Sequence, residues 1–179
     1  MRKEVSFITK GAIIAALYAA FTMVLWEISS AGIQFRLSEA LCILPAFTPA
    51  AIPGLTIGCA IANLAGGTWV DVVFGSLATL LASVCTYFIG RAFRVGINDM
   101  IKLSAAFLCP LPPVIFNAAI IPFVLYYGYG MMSAFGVEGA APVLAIHAAT
   151  VGIGELAVCY ILGIPLMYAV NRLRKKMKI

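Results

Sequence analysis

Carboxylates and amides placed inside apolar stretches are the residues of this sequence with the most chemistry to offer. Asp71 follows Trp69 at the start of one apolar stretch, and Glu155 lies well inside another. Asn63 and Asn117 add amide donors and acceptors to two further stretches. A carboxylate at the centre of a membrane-spanning helix costs roughly 2.5–3.5 kcal/mol on insertion scales, so it faces a cavity or a partner. These residues therefore predict a polar pocket in the outer half of an apolar bundle.

The other polar residues of this region also have plainer interpretations. Arg36 and Glu39 are three positions apart and would pair across a helix start, or lie at the lip of the pocket. Glu27 is expected to mark the headgroup end of the first apolar stretch, and Glu138 to lie in a solvated loop. Trp69 suits either an interfacial aromatic belt or stacking on a flat ligand. Each amide would alternatively bridge two helices, at a worth of about 0.6 kcal/mol.

No nucleotide-binding or metal-binding motif accompanies these groups. The sequence contains no G-x-x-x-x-G-K-[ST], so it has no P-loop for ATP. The single histidine, His147, has no acid or cysteine at ligand spacing. The five cysteines lie in or beside apolar segments, where cysteine behaves as a small hydrophobe. We therefore expect no cofactor, no metal site and no catalytic residue.

Composition decides the class of protein that carries this pocket. Of 179 residues, 63% are apolar and 11% are charged, and the mean hydropathy is +1.05. A soluble domain carries about 25% charged residues, so a soluble enzyme is excluded. Disorder is excluded because the chain is apolar and not rich in charge. The sequence predicts a single integral membrane domain over residues 1–179.

Apolar stretches and prolines divide the chain into six helices. The stretch 38–67 is too long for one crossing, and its prolines at 45, 49 and 53 favour two short helices joined by a turn. The predicted fold is an all-α bundle of six transmembrane helices, with the second and third short and a cytoplasmic connector at about 91–109. The helices are expected at about 7–28, 38–48, 52–66, 69–90, 110–128 and 143–171.

The basic residues predict the orientation of this bundle. Eleven of the 12 lie on one side of the predicted topology, and only Arg36 lies on the other. Because Lys and Arg concentrate in cytoplasmic segments, both termini are expected in the cytoplasm. The basic tail is then a topological flank beside anionic lipid, and nucleic acid is not an expected partner.

The first helix carries a wide face of small residues. They form two parallel stripes with a spacing of four: Gly11, Ala15 and Ala19, and Ala12, Ala16 and Ala20. Small residues allow a second helix to approach closely. The face therefore either packs inside the bundle or docks a partner helix.

Five strings in this order resemble the QueT family, and the resemblance extends from about Glu27 to about Tyr168. They are QFRLSEAL (34–41), IPGLTIGCAIANL (52–64), DVVFGSLATL (71–80), LPPVIFN (111–117) and VGIGELAVCY (151–160). Proteins of this family are substrate-binding (S) components of energy-coupling-factor (ECF) transporters. The resemblance implies the six-helix S-component fold, a bacterial cell membrane location and import of a 7-deazaguanine precursor of queuosine.

The resemblance also implies partners. A transmembrane coupling protein and two cytosolic ATPases would supply the ATP site that the sequence lacks, and the coupling protein would take the small-residue face of the first helix.

The chemistry of the implied substrate suits the predicted pocket. A 7-deazaguanine presents an N1–H and a 2-amino group, and one carboxylate accepts hydrogen bonds from both. We expect Asp71 or Glu155 to be that acceptor, with Asn63 and Asn117 at the other edge of the base. If the ligand carries an aminomethyl cation, the second carboxylate would neutralise it.

Three alternative functions remain at this stage. An S component for another vitamin-like ligand would rely more on aromatic stacking or phosphate contacts. A carrier driven by an ion gradient would also use buried carboxylates, but the sequence lacks the two similar halves typical of such carriers. A membrane enzyme acting on lipid would need a metal or nucleophile cluster on the cytoplasmic side.

The topology is testable by labelling single cysteines in a cysteine-free background. A cysteine replacing Glu138 should react with an impermeant thiol reagent added outside intact cells, because this position is predicted to be external. A cysteine replacing Asn98, in the predicted connector, should react only after the membrane is opened. The reverse pattern would overturn the predicted orientation.

Overall fold

The structure, a computed structural model, describes residues 2–24, 36–95 and 100–177, and these form six helical segments. We label them α1 (Arg2–Val24), α2 (Leu37–Ala46), α3 (Ala51–Gly66), α4 (Trp69–Ala92), α5 (Leu111–Phe123, continued by a π turn at Val124–Gly128) and α6 (Ala140–Val158, a π turn at Cys159–Gly163, then Ile164–Met177). The predicted all-α membrane fold with six helices is confirmed.

Four spans within these segments are long and apolar enough to cross a membrane. They are Glu4–Val24, Trp69–Ala92, Ser104–Gly128 and Ala140–Lys176. The second and third helices are short, as predicted. The chain is therefore a multi-pass membrane protein.

Several helix boundaries differ from the sequence prediction. The first helix begins at Arg2 and not near residue 7, while the expected end at 25–28, with Glu27, lies outside the described residues. The last helix covers 140–177 because its π turn at Cys159–Gly163 accommodates an extra residue without ending it.

Short non-α elements join the helices. The connector contains a hairpin of β1 (Arg94–Val95) and β2 (Met100–Ile101), followed by a 3₁₀ turn at Leu103–Ala106. Between α5 and α6 lies a second hairpin of β3 (Ser133–Ala134) and β4 (Val137–Glu138).

The helix α2 is wound as a 3₁₀ helix and is the most deeply enclosed element near the predicted pocket. It lies between α1, α4 and the π turn of α6, and eight of its ten residues are buried. Pro45 near its end lacks the N–H that would continue a helical ladder. The tight winding and the enclosure fix the direction in which Glu39 points.

Glycines allow α1 to pack directly against α3. A side chain on Gly54 would begin 2.7 Å from the carbonyl oxygen of Gly11, and one on Gly58 would begin 2.7 Å from that of Ala15. This contact buries Ala15 and Ala19, so that half of the expected docking face packs inside the bundle. The parallel stripe remains exposed and consists of Ala12, Ala16 and Ala20.

Basic side chains secure the end of the bundle where α2, α4 and α6 finish. Arg94 donates to the Ala46 carbonyl at 3.1 Å, and Arg174 donates to the Phe47 carbonyl at 2.6 Å. Asn171 exchanges hydrogen bonds with the backbone of Ile101 in β2. These contacts fix the far end of α2, and the acidic residues discussed next lie toward its beginning.

Candidate ligand-binding site

The beginning of α4 carries a buried ion pair. The Arg36 guanidinium, just before α2, donates through Nη2 to Asp71 Oδ2 at 3.2 Å. Asp71 is 1% exposed, and its backbone N–H is capped by the Thr68 hydroxyl at 3.3 Å. The predicted pairing of Arg36 with Glu39 is therefore wrong. Tertiary packing brings Arg36 to a carboxylate 35 residues away, and Glu39 points elsewhere.

A tyrosine from the loop after α5 completes the surroundings of this carboxylate. The Tyr129 hydroxyl donates to Asp71 Oδ2 at 3.1 Å. Partial burial and the nearby Asp71 carboxylate raise the pKa of the Tyr129 phenol, which keeps it a hydrogen-bond donor. The Arg36 guanidinium and the Tyr129 hydroxyl therefore both donate to the same oxygen, Asp71 Oδ2.

Two acceptor atoms beside this pair receive no hydrogen bond from the described part of the chain. They are Asp71 Oδ1 and Asn63 Oδ1, and both side chains are 1% exposed. The Asn63 amide nitrogen is fixed by the Asp71 carbonyl at 3.1 Å and by Cys59 Sγ at 3.5 Å. A side chain on Gly75 would begin 2.8 Å from Asp71 Oδ1. Glycine at this position therefore lets the side chains of Asp71 and Asn63 pack directly against α4.

A second carboxylate, Glu39 of α2, is 2% exposed and is bound by neutral donors. The Tyr18 hydroxyl of α1 donates to Oε1, and the Cys42 thiol donates to Oε2 at 2.8 Å. The same two helices are joined one turn away, where Thr22 donates to the Ser38 hydroxyl at 2.7 Å.

The third carboxylate, Glu155 of α6, is 4% exposed and lies one turn before the π turn. Asn117 of α5 donates to its Oε1 at 2.8 Å. The Cys159 thiol lies 3.6 Å from its Oε2 and 3.7 Å from the backbone carbonyl of Glu39. Cys159 therefore connects the surroundings of Glu39 and Glu155.

The site that results is rich in hydrogen-bond acceptors. It contains one guanidinium and three carboxylates, all buried, on α2, α4, α6 and the residue before α2. The described residues contain no group of three or more His, Cys, Asp or Glu side chains able to hold a metal ion. The arrangement suits an organic ligand that offers several N–H donors.

Comparison with known proteins places the chain in a family. The model of the QueT transporter family matches residues 8–172. The chain belongs to the QueT transporter family. This match includes every residue of the site described above, all of α2 to α5, α1 from residue 8 and α6 as far as residue 172.

A curated relative supports the family assignment over part of the chain. "Queuosine precursor transporter QueT" of Lactococcus lactis subsp. cremoris (strain MG1363) is 49% identical over 72 residues, which are 39% of this chain and 43% of that protein. The match thus spans less than half the length of this QueT relative. No solved structure matches the chain.

Six of the seven expected ligand-binding residues are brought together in this QueT family member. The six are Arg36, Glu39, Asn63, Asp71, Asn117 and Glu155. Trp69 is not among them, because its side chain is 76% exposed although it lies only two positions from Asp71. On a helix, residues two apart point in different directions, and this geometry argues against a stacking role for Trp69.

Sequence reasoning did not identify Tyr18, Cys42 and Cys159 as site residues. Tyr18 lies on α1 near the buried alanine stripe, and a tyrosine with a polar tip inside an apolar helix was the available signal. Tyr129 also belongs to the site, because its hydroxyl contacts Asp71.

Proposed function

We propose that the chain is the substrate-binding membrane subunit of an ATP-driven ECF importer in the bacterial cell membrane. It captures a queuosine precursor of the 7-deazaguanine type from outside and delivers it through partner subunits. The main support is the buried, acceptor-rich site, in which Asp71 Oδ1 and Asn63 Oδ1 lack donors from the described residues. Membership of the QueT family and the name of the Lactococcus relative, a queuosine precursor transporter, support the same substrate.

The unpartnered acceptors suit the hydrogen-bonding edge of the base. A 7-deazaguanine offers two adjacent donors, N1–H and the 2-amino group, and both need acceptors when they leave water. Arg36 and Tyr129 hold Asp71 through Oδ2, so Oδ1 is left for the ligand. Asn63 Oδ1 is the second acceptor in reach of the same region. Asn117 and Glu155 provide further polar contacts on the α5 and α6 side.

Binding of a queuosine precursor should depend on the buried carboxylates. Asp71→Asn and Glu155→Gln should each weaken binding by about 2–5 kcal/mol, the range for losing one partner of a buried charge-assisted contact. Isothermal titration calorimetry on the purified protein measures this loss. Glu138→Gln, at an exposed hairpin position, is the matched control and should bind like the wild type. Wild-type affinity in both inner variants would place the binding site elsewhere.

The exposed stripe of α1 is the proposed docking surface for the coupling protein. Ala12 and Ala16 line an apolar groove of about 460 Å³ between α1 and α3, with Gly11 and Gly54 in its wall. Small residues at its surface let a partner helix approach the backbone closely. The two cytosolic ATPases would act through that partner, because this chain has no P-loop motif.

Bulk in this groove should separate transport from ligand binding. Ala16→Trp should fold and bind the precursor normally, because Ala16 is exposed and the site lies among α2, α4, α5 and α6. It should not support ATP-driven uptake in proteoliposomes that contain the partner subunits. Ile13→Trp, at an exposed position of α1 outside the groove, is the control and should transport normally.

Two outcomes would remove the docking proposal. Normal transport by Ala16→Trp would mean that the groove faces lipid. Loss of both folding and ligand binding would mean that Ala16 contributes to packing within the bundle.

A further inference from the structure

We propose that residues 128–132, which we call the strap, form the gate through which a ligand enters the site from outside. Tyr129 is the latch of this gate, because its hydroxyl holds the strap to Asp71. The strap lifts when a ligand enters or leaves, and it then closes again over the buried ion pair. This inference rests on the proposed function and adds the route by which the ligand reaches the site.

The strap covers the end of the bundle at which α4 begins. This end lies opposite to the basic end, which is predicted to be cytoplasmic, so the strap faces outside. The Asp71 and Asn63 side chains are almost completely buried, and a ligand must displace part of the protein to reach their unpartnered oxygens. The Tyr129 side chain is 37% exposed, yet its hydroxyl lies 3.1 Å from Asp71 Oδ2. This one side chain therefore extends from the protein surface to the buried carboxylate.

Glycines allow the strap to lie closely against the start of α4. A side chain on Gly128 would begin 3.3 Å from Val70 Cβ. A side chain on Gly67 would begin 3.0 Å from the Tyr129 hydroxyl oxygen and 3.2 Å from Asp71 Oδ2. The lack of side chains at these two positions therefore allows the latch contact to form.

The strap can lift without disturbing the helices, because little of its surface is packed against them. Residues 126–142 contain no buried side chain. A polar contact joins the strap to α6, where His147 Nε2 lies 3.1 Å from the Met131 carbonyl oxygen. Gly130 within the strap has a φ of +68°, a conformation that glycine adopts without strain. Segments with few buried apolar contacts have the lowest free energies of local opening.

A disulfide between the strap and α4 tests whether the strap must lift. Val70→Cys combined with Gly128→Cys suits this bond, because a side chain on Gly128 would begin 3.3 Å from Val70 Cβ and disulfides join Cβ atoms about 3.5–4.5 Å apart. Rapid filtration on the purified full chain would follow tritiated 7-cyano- or 7-aminomethyl-7-deazaguanine, whichever the wild type binds more tightly. Oxidation should prevent binding to the empty protein and trap ligand that is already bound. Reduction should restore both association and release.

The matched control places a disulfide within the same loop. Ser133→Cys combined with Glu138→Cys joins paired residues of β3 and β4 and leaves the strap unattached to α4. Oxidation of this variant, and of the wild type with its five native cysteines, should leave binding and release unchanged. If the strap fully cross-linked to α4 exchanges ligand at the rates of its reduced form, the gate proposal is wrong.

Tyr129→Phe removes the latch hydroxyl, keeps the ring and provides a second test. The latch belongs to the closed strap with or without ligand, so its loss favours opening in both states. Association and dissociation should both become about tenfold faster, as expected for losing a hydrogen bond to a charged group, and the affinity should change little. A hydroxyl that only stabilised the fold or the bound ligand would not accelerate both rates. Unchanged rates, or faster dissociation alone, would contradict the latch.

Failure of the gate and failure of the proposed function give different results. If the wild type binds neither 7-deazaguanine, the proposed function is wrong, and the gate proposal falls with it. If the wild type binds one of them and the locked strap still exchanges it, only the gate proposal is wrong. Tyr129→Phe decides the gate proposal even if the double-cysteine variant fails to fold.

Discussion

The structure depends on how an apolar bundle accommodates three buried carboxylates with one guanidinium. Pairing Arg36 with Asp71 neutralises one of them, and this pair ties the residue before α2 to the first turn of α4. Removing one partner of such a pair costs about 3–5 kcal/mol, because a charge is then left buried and alone. The other two acids, Glu39 and Glu155, are surrounded by hydroxyl, thiol and amide donors. The site thus combines one acid neutralised by an ion pair with two acids held by hydrogen bonds alone.

The same packing connects the site to the surface proposed for docking. Glycines on α3 bring α1 close enough for Tyr18 to reach Glu39 on α2. On the outer side of α1, Ala12 and Ala16 line the apolar groove. One helix thus contributes a donor to the binding site and small residues to the surface. At the opposite end of α2, Arg94 and Arg174 bind the carbonyls of Ala46 and Phe47, which holds this short helix in place.

The helices could be predicted from hydropathy and proline positions. Both are properties of the local sequence and do not depend on how the helices pack against one another. The carboxylates and amides of the site were also predictable, since few polar groups occur in apolar segments without a partner. The pairing of Arg36 was not predictable, because local spacing favoured Glu39 and only the fold brings Asp71 within reach. The direction of the Trp69 side chain was not predictable for a related reason. Its position beside Asp71 in sequence says little about side-chain direction at a helix start. Which alanine stripe is buried depends on Gly54 and Gly58, which lie on another helix.

The most direct test of the account is the identity of the small molecule that the protein retains when purified gently from cells supplied with queuosine precursors. Native mass spectrometry, followed by release and identification of the bound molecule, would provide the measurement. The account predicts one retained 7-deazaguanine per chain. Retention of an anionic or purely aliphatic molecule in this site would contradict it, because the buried acceptors and carboxylates offer such a ligand no favourable contact.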